Sequence, residues 1–139
     1  GCDHLPVVEV KWPGRTGLGS IGAYKPDLLA HHAGIFLLVE CTPLHDQADA
    51  TKLRKILADE DRVRALFVEV KQRRLLARLD LECDLPAFRV GVRGALAHSG
   101  PVEPQPDLAV LRIQGGDGGS HVTLPTLPDP KFQAALKRT

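Results

Sequence analysis

The stretch Tyr24-Lys-Pro-Asp-Leu-Leu-Ala-His-His-Ala-Gly-Ile-Phe-Leu-Leu-Val-Glu-Cys-Thr42 narrows the possible folds more than any other part of the chain. It reads as two apolar strands, 28–30 and 35–39 at their hearts, joined by a very short turn. Gly34 can supply the positive φ that a tight hairpin needs. A two-residue loop at Ala33-Gly34 sets the register, so that His32 faces Ile35, Leu29 faces Leu38 and Asp27 faces Glu40. The two carboxylates then share a face of neighbouring strands, with Cβ atoms about 5 Å apart. Like charges so placed repel unless one is protonated or a cation lies between them. Two hard oxygen ligands flanking an open position suit Mg²⁺ or Mn²⁺.

The chain has 139 residues, 43% of them hydrophobic, enough for one domain with its own core and too few for two comfortable ones. It begins with Gly1 and contains no methionine, which reads as a piece processed or excised from a longer protein. Cys2, Cys41 and Cys83 are odd in number and widely spaced, with no Cys-x-x-Cys pair. That pattern argues against a disulfide framework or a zinc ribbon and leads us to expect a reducing, cytoplasmic setting, with Cys41 a buried apolar thiol. No apolar run approaches the roughly 20 residues of a membrane span, so no membrane partner is expected. The formal charge of +1 gives no global pull toward nucleic acid, and such binding would depend on how the charge is distributed.

Residues 5–12 read as a first strand stopped by Pro13-Gly14. Gly17-Leu-Gly19-Ser-Ile-Gly22 then matches the G-x-G-x-x-G pattern of dinucleotide sites, but that motif must open a helix, and here Lys25-Pro26 and a strand follow. A connecting loop is the better reading. After the hairpin, Asp46 to Asp49 offer caps for a helix over about residues 48–59 carrying Leu53, Ile56 and Leu57. Val63, Leu66, Phe67 and Val70 continue the spacing, so 62–79 is expected as a second helix or a kinked extension, with a strand at 67–70 as the alternative. This segment is locally basic. Residues 86–93 alternate like a strand and 107–114 like another, with a short edge strand at 121–124 and a terminal helix opened by Asp129-Pro130. His31 and His32 point to opposite faces and read as an exposed turn. The whole is an α/β arrangement with a mixed sheet.

Pro26-Asp27, then thirteen residues on Glu40-Cys41-Thr42 at the end of an apolar strand, followed by a helix with lysines, resembles the PD-(D/E)xK nuclease superfamily. The resemblance covers about residues 20–95 and implies the restriction-endonuclease-like fold, a mixed central sheet flanked by helices. It implies a divalent-metal-dependent nuclease, with DNA as the expected partner, Mg²⁺ or Mn²⁺ held by Asp27, Glu40 and the carbonyl of Cys41, and pairing into dimers where both strands are cut. Where the family has lysine this chain has Thr42. Similar branches carry Glu-Cys-Thr with a lysine migrated to the following helix, which here points to Lys52, in the helix's first turns, ahead of Lys55. Arg62, Arg73 and Arg74 on the basic segment, with Arg89 and Arg93, would touch phosphates rather than read sequence. Glu9 would be a supporting acid if its strand lies beside the hairpin. Two alternatives stand beside the nuclease: a non-catalytic member of the same fold that binds nucleic acid or protein, and a small α/β enzyme using the 17–22 loop for a phosphate ligand.

Overall fold

The computed structural model of the chain describes residues 3–5, 24–41, 47–99, 107–116, 119–126 and 129–136. Three strands come first: β1 (Asp3–Leu5), β2 (Leu28–His32) and β3 (Ile35–Cys41). The β2–β3 hairpin has the register its turn dictates, with Leu29 opposite Leu38 and His32 opposite Ile35. Ala33 and Gly34 take φ of 47° and 82°, the pair of positive angles that matches a two-residue turn to the twist of its strands. His31 is buried rather than exposed. Its ring packs 4.7 Å from that of Phe36, and its Nε2 accepts the Gly34 N–H at 3.2 Å, so this histidine belongs to the turn's own structure.

From β3 the chain crosses over through α1 (Gln47–Ala58), α2 (Glu60–Gln72), α3 (Leu75–Arg78) and α4 (Leu85–Gly91) to reach β4 (Val92–His98). The break between α1 and α2 falls at Asp59, whose side chain accepts from the N–H groups of Asp61 and Arg62 and so caps α2; such a cap satisfies amides that an uncapped helix start leaves orphaned. The alternative strand at 67–70 is therefore not formed, and Val63, Leu66, Phe67 and Val70 are the buried stripe of a helix. At the far end Arg74 takes a left-handed φ of 57°, which separates α2 from α3.

Residues 86–93 depart from expectation. The chain is helical through Gly91 and becomes strand only at Val92. Asp84 caps this helix by accepting the Ala87 N–H at 2.9 Å, Pro86 sits in its first turn where no N–H is missed, and Phe88 turns inward between Phe36 and Phe67, at ring distances of 4.9 and 5.3 Å. Apolar alternation was the weaker signal, because a capped first turn with one large aromatic to bury outweighs a short run broken by Gly91.

The chain continues as β5 (Ala109–Gly116), β6 (Gly119–Thr126) and α5 (Pro130–Leu136). Among the described residues, six strands form one sheet in chain order, β1-β2-β3-β4-β5-β6. β3–β4 and β4–β5 are parallel; β1–β2, β2–β3 and β5–β6 are antiparallel. The fold class is thus mixed α/β, a mixed sheet with helices against it. Because strand side chains alternate, β3 feeds two cores. Phe36 and Leu38 face α1, α2 and α4 with Leu53, Ile56, Leu66 and Phe88; Ile35 and Val39 face the other side with Ala95, Ala97, Ala109 and Ala135 of α5. The expected strand at 5–12 lies outside the described residues beyond Leu5, as do Glu9 and the glycine loop at 17–22. Among the described residues, no helix is long and apolar enough to cross a membrane.

Candidate functional site

Glu40 continues the Phe36, Leu38 side of β3 and therefore points under α1. It is only 4% exposed, a position that an ionised carboxylate holds only with compensation. The compensation is Lys52, one and a half turns into α1, whose Nζ lies 2.9 Å from Glu40 Oε1. The ammonium also sits 5.2 Å from the centroid of the Tyr24 ring, within the range of a cation–π contact.

Asp27 completes the arrangement from the adjoining strand. The β2–β3 ladder ends at Leu28 opposite Val39, one step short of Asp27 and Glu40. In place of another ladder pair, the Asp27 carboxylate accepts the Cys41 N–H through Oδ2 at 2.8 Å. This contact ties the Asp27 side chain to the end of β3 directly after Glu40, while the residue itself stays exposed.

The electrostatics follow from this crowding. Burial pushes the Glu40 carboxyl above the usual carboxylate range, the hydrogen bond and charge of Lys52 pull it back, and Asp27 and Asp49 add to the rise. Tyr24, which is buried, has its hydroxyl pushed far above the ordinary phenol value by burial first and by the charge of Glu40 second. The Cys41 thiol is raised by partial burial, then by Asp27 and Glu40. Cys41 is exposed, which corrects the expectation of a buried apolar thiol: it is the last residue of β3, beyond the buried run of that strand.

Asp27, Glu40 and Lys52 are thus brought together, and Lys55 lies three residues further along α1, on the same broad face. Thr42, at the position where the family pattern has its lysine, is outside the described residues. Tyr24 and Asp49 are part of the same electrostatic cluster and were missed; Tyr24 stands three residues before Asp27, and Asp49 in the first turn of α1, so proximity to the acid pair was the available signal. The basic residues are not gathered in the same way. Arg62 begins α2 beside α1, whereas Arg73 caps the other end of α2, about 16 Å along the axis, and pairs with Glu69 at 3.3 Å. Arg74 lies with Lys71 and Leu81 in a different groove. Arg93 stands apart from the site. It projects from the opposite face of the sheet, where its Nε contacts Asp129 at 2.7 Å and its Nη1 donates to the carbonyls of Val90 and Val92. Arg89 is near Glu60 at 3.8 Å.

The donor chemistry at the site fits a small hard cation. Two carboxylates and the main-chain carbonyl of Cys41 are the kind of partial protein shell that Mg²⁺ accepts, since it keeps several waters. Among the described residues no group of three or more histidines, cysteines or acids gathers that could hold a metal ion. The class defined by fold and site is a mixed α/β domain with a carboxylate pair and a lysine at one strand end. No family model, curated protein or solved structure matches the chain.

Proposed function

We propose that the chain is a divalent-metal-dependent nuclease of the restriction-endonuclease-like kind, hydrolysing phosphodiester bonds in nucleic acid, with DNA as the first substrate to test. One observation carries this reading: Lys52, from the helix after the acidic strand, reaches Glu40 at 2.9 Å while Asp27 is fastened to the next residue of that strand. An ammonium and two carboxylates from three separate elements converge at the end of β3, the set of charges that phosphodiester hydrolysis needs.

Asp27, Glu40 and the Cys41 carbonyl would hold Mg²⁺ or Mn²⁺, which when bound lowers the pKa of water and offsets charge on phosphate oxygens. The chain's own residues supply the rest. The Cys41 amide orients the Asp27 carboxylate, Tyr24 walls the site with an un-ionised ring, and Lys52 places a fixed positive charge where a phosphate oxygen gains negative charge in the transition state. Lys52 is 43% exposed along its side chain, so its ammonium can turn from Glu40 toward a substrate arriving from solvent.

The test is cleavage of labelled single- and double-stranded DNA with Mg²⁺, Mn²⁺ or EDTA, comparing the parent with Asp27→Asn and Lys52→Ala. Metal-dependent cutting that falls by about 100-fold or more in each variant is the expected result. Cutting that survives Asp27→Asn would refute the site, and loss in Asp27→Asn alone would move the lysine's role to Lys55. A second reading, a non-catalytic binding module, is favoured by the self-sufficiency of the Glu40–Lys52 pair, which a structural role alone would satisfy. Metal-independent DNA binding with no cutting in any condition would select it.

A further inference from the structure

We propose that the groove between α1 and α2, lined by Ala48, Thr51, Lys52, Lys55 and Arg62, binds the sugar-phosphate backbone of a nucleic acid strand beside the Asp27–Glu40 pair. Its placement next to a scissile bond rests on the nuclease reading; the binding itself needs no metal.

The groove arises from how α1 is packed. Ala50, Leu53 and Ile56 are buried against the sheet, and this stripe fixes the helix's rotation. Positions 48, 51, 52 and 55 follow the i, i+3, i+4, i+7 spacing of a second stripe, which faces the start of α2. Lys52 and Lys55 stand one turn apart, with Cβ atoms about 5–6 Å from each other, and Thr51, one residue before Lys52, lines the same groove. Arg62 adds a guanidinium from the facing helix. Among the described residues, no carboxylate lines the groove.

The charges are graded along it. Lys52 is held by Glu40, and Arg62 is steadied by Asp59 at 3.3 Å, the residue that also caps α2. Lys55 is exposed and enters no ion pair among the described residues, so it contributes positive charge that is not already balanced. The track therefore starts at the proposed catalytic pair and leads away from it, and successive cations suit the repeating anionic groups of a backbone. The exposed large apolar side chains, Val68 and Val90, lie outside the groove. This assigns backbone binding to Lys55 and Arg62 and withdraws it from Arg73 and Arg74.

The experiment is fluorescence anisotropy with a labelled single-stranded DNA oligonucleotide in EDTA, across a range of salt, for the parent, Lys55→Ala, Arg62→Ala, Arg62→Lys and the Arg73→Ala/Arg74→Ala pair. Lys55→Ala and Arg62→Ala should each weaken binding several-fold at low salt and reduce the slope of log K against log salt by about 0.7. Arg62→Lys should restore the slope, since the slope reads charge, and the Arg73/Arg74 pair should leave it unchanged. The proposal is overturned if the parent does not bind the oligonucleotide, if the groove variants keep the parent's slope, or if only the Arg73/Arg74 pair lowers it. Binding that obeys these rules in a protein that never cuts would retire the nuclease reading and leave the groove standing. Cutting with no change in the groove variants would do the reverse.

Discussion

Glu40 and Lys52 form an ion pair at 2.9 Å in which the carboxylate is buried and the ammonium is not, with side chains 5% and 43% exposed. The two partners therefore have unequal effects on stability. Lys52→Ala leaves a buried carboxylate without its counter-charge and should cost about 1–3 kcal/mol at neutral pH, less than for a fully buried pair because the lysine is half in water. Glu40→Gln leaves a lysine that can reach solvent. Glu40 has a carboxyl raised above its ordinary value by burial, so the folded state holds this proton more tightly than the unfolded chain. Its stabilising contribution is complete below the ordinary carboxylate pKa and is lost as pH rises through the folded value. Thermal melts in EDTA from pH 4 to 8 should show the Lys52→Ala penalty shrinking toward zero at the acid end and Glu40→Gln melting at or above the parent at the neutral end. A Lys52→Ala penalty independent of pH would contradict the pairing.

The hairpin turn carries its own prediction. Ala33 has a Cβ in a left-handed conformation, at φ 47°, and Gly34 has open space around its Cα. Gly34→Ala should cost about 1–2 kcal/mol from backbone strain alone, whereas Ala33→Asn, which makes the preferred Asn-Gly turn, should be neutral or stabilising. Denaturant midpoints for the two variants measure this, and equal destabilisation by both would show that the turn conformation is misassigned.

Gly91 ends α4 beneath that turn. A Cβ there would overlap the Gly34 carbonyl oxygen, and the backbone oxygen has no rotamer with which to yield. Gly91→Ala should destabilise by about 2–3 kcal/mol, read from urea unfolding. A loss below about 0.5 kcal/mol would mean that α4 and the hairpin do not pack this closely.

Arg93 joins β4 to the start of α5 through Asp129, with Nε to Oδ2 at 2.7 Å and side chains 21% and 28% exposed. Removing either partner should cost about 1–3 kcal/mol and loosen α5 before the rest of the sheet. Hydrogen exchange should show faster exchange at 133–136 in Asp129→Ala than in the parent, with α1 and α2 amides unaffected. Because this pair lies on the face away from Glu40, DNA binding should be unchanged.

The alternation of apolar residues about Ala33-Gly34 was enough to determine the hairpin and its register, because a two-residue loop leaves no freedom in which residue meets which; the expected pairing of Asp27 with Glu40 is not part of that ladder, and Asp27 accepts the Cys41 N–H instead. The apolar spacing of Leu53, Ile56, Val63, Leu66 and Val70 likewise determined two helices, since each needs only one stripe to bury. The reach of Lys52 was legible only through the family pattern; local spacing could not say which α1 lysine arrives at Glu40. Other features were decided by tertiary structure. Residues 86–91 became helix because Phe88 had a place between Phe36 and Phe67, and Arg93 met Asp129 because a strand position has a fixed side of the sheet. Tyr24 and Asp49 joined the acid cluster, and Arg62 parted from Arg73 and Arg74, for a related reason. Local periodicity sets which face of an element is buried, but which charges meet depends on where separate elements are docked, and that is determined by the packing of the whole core.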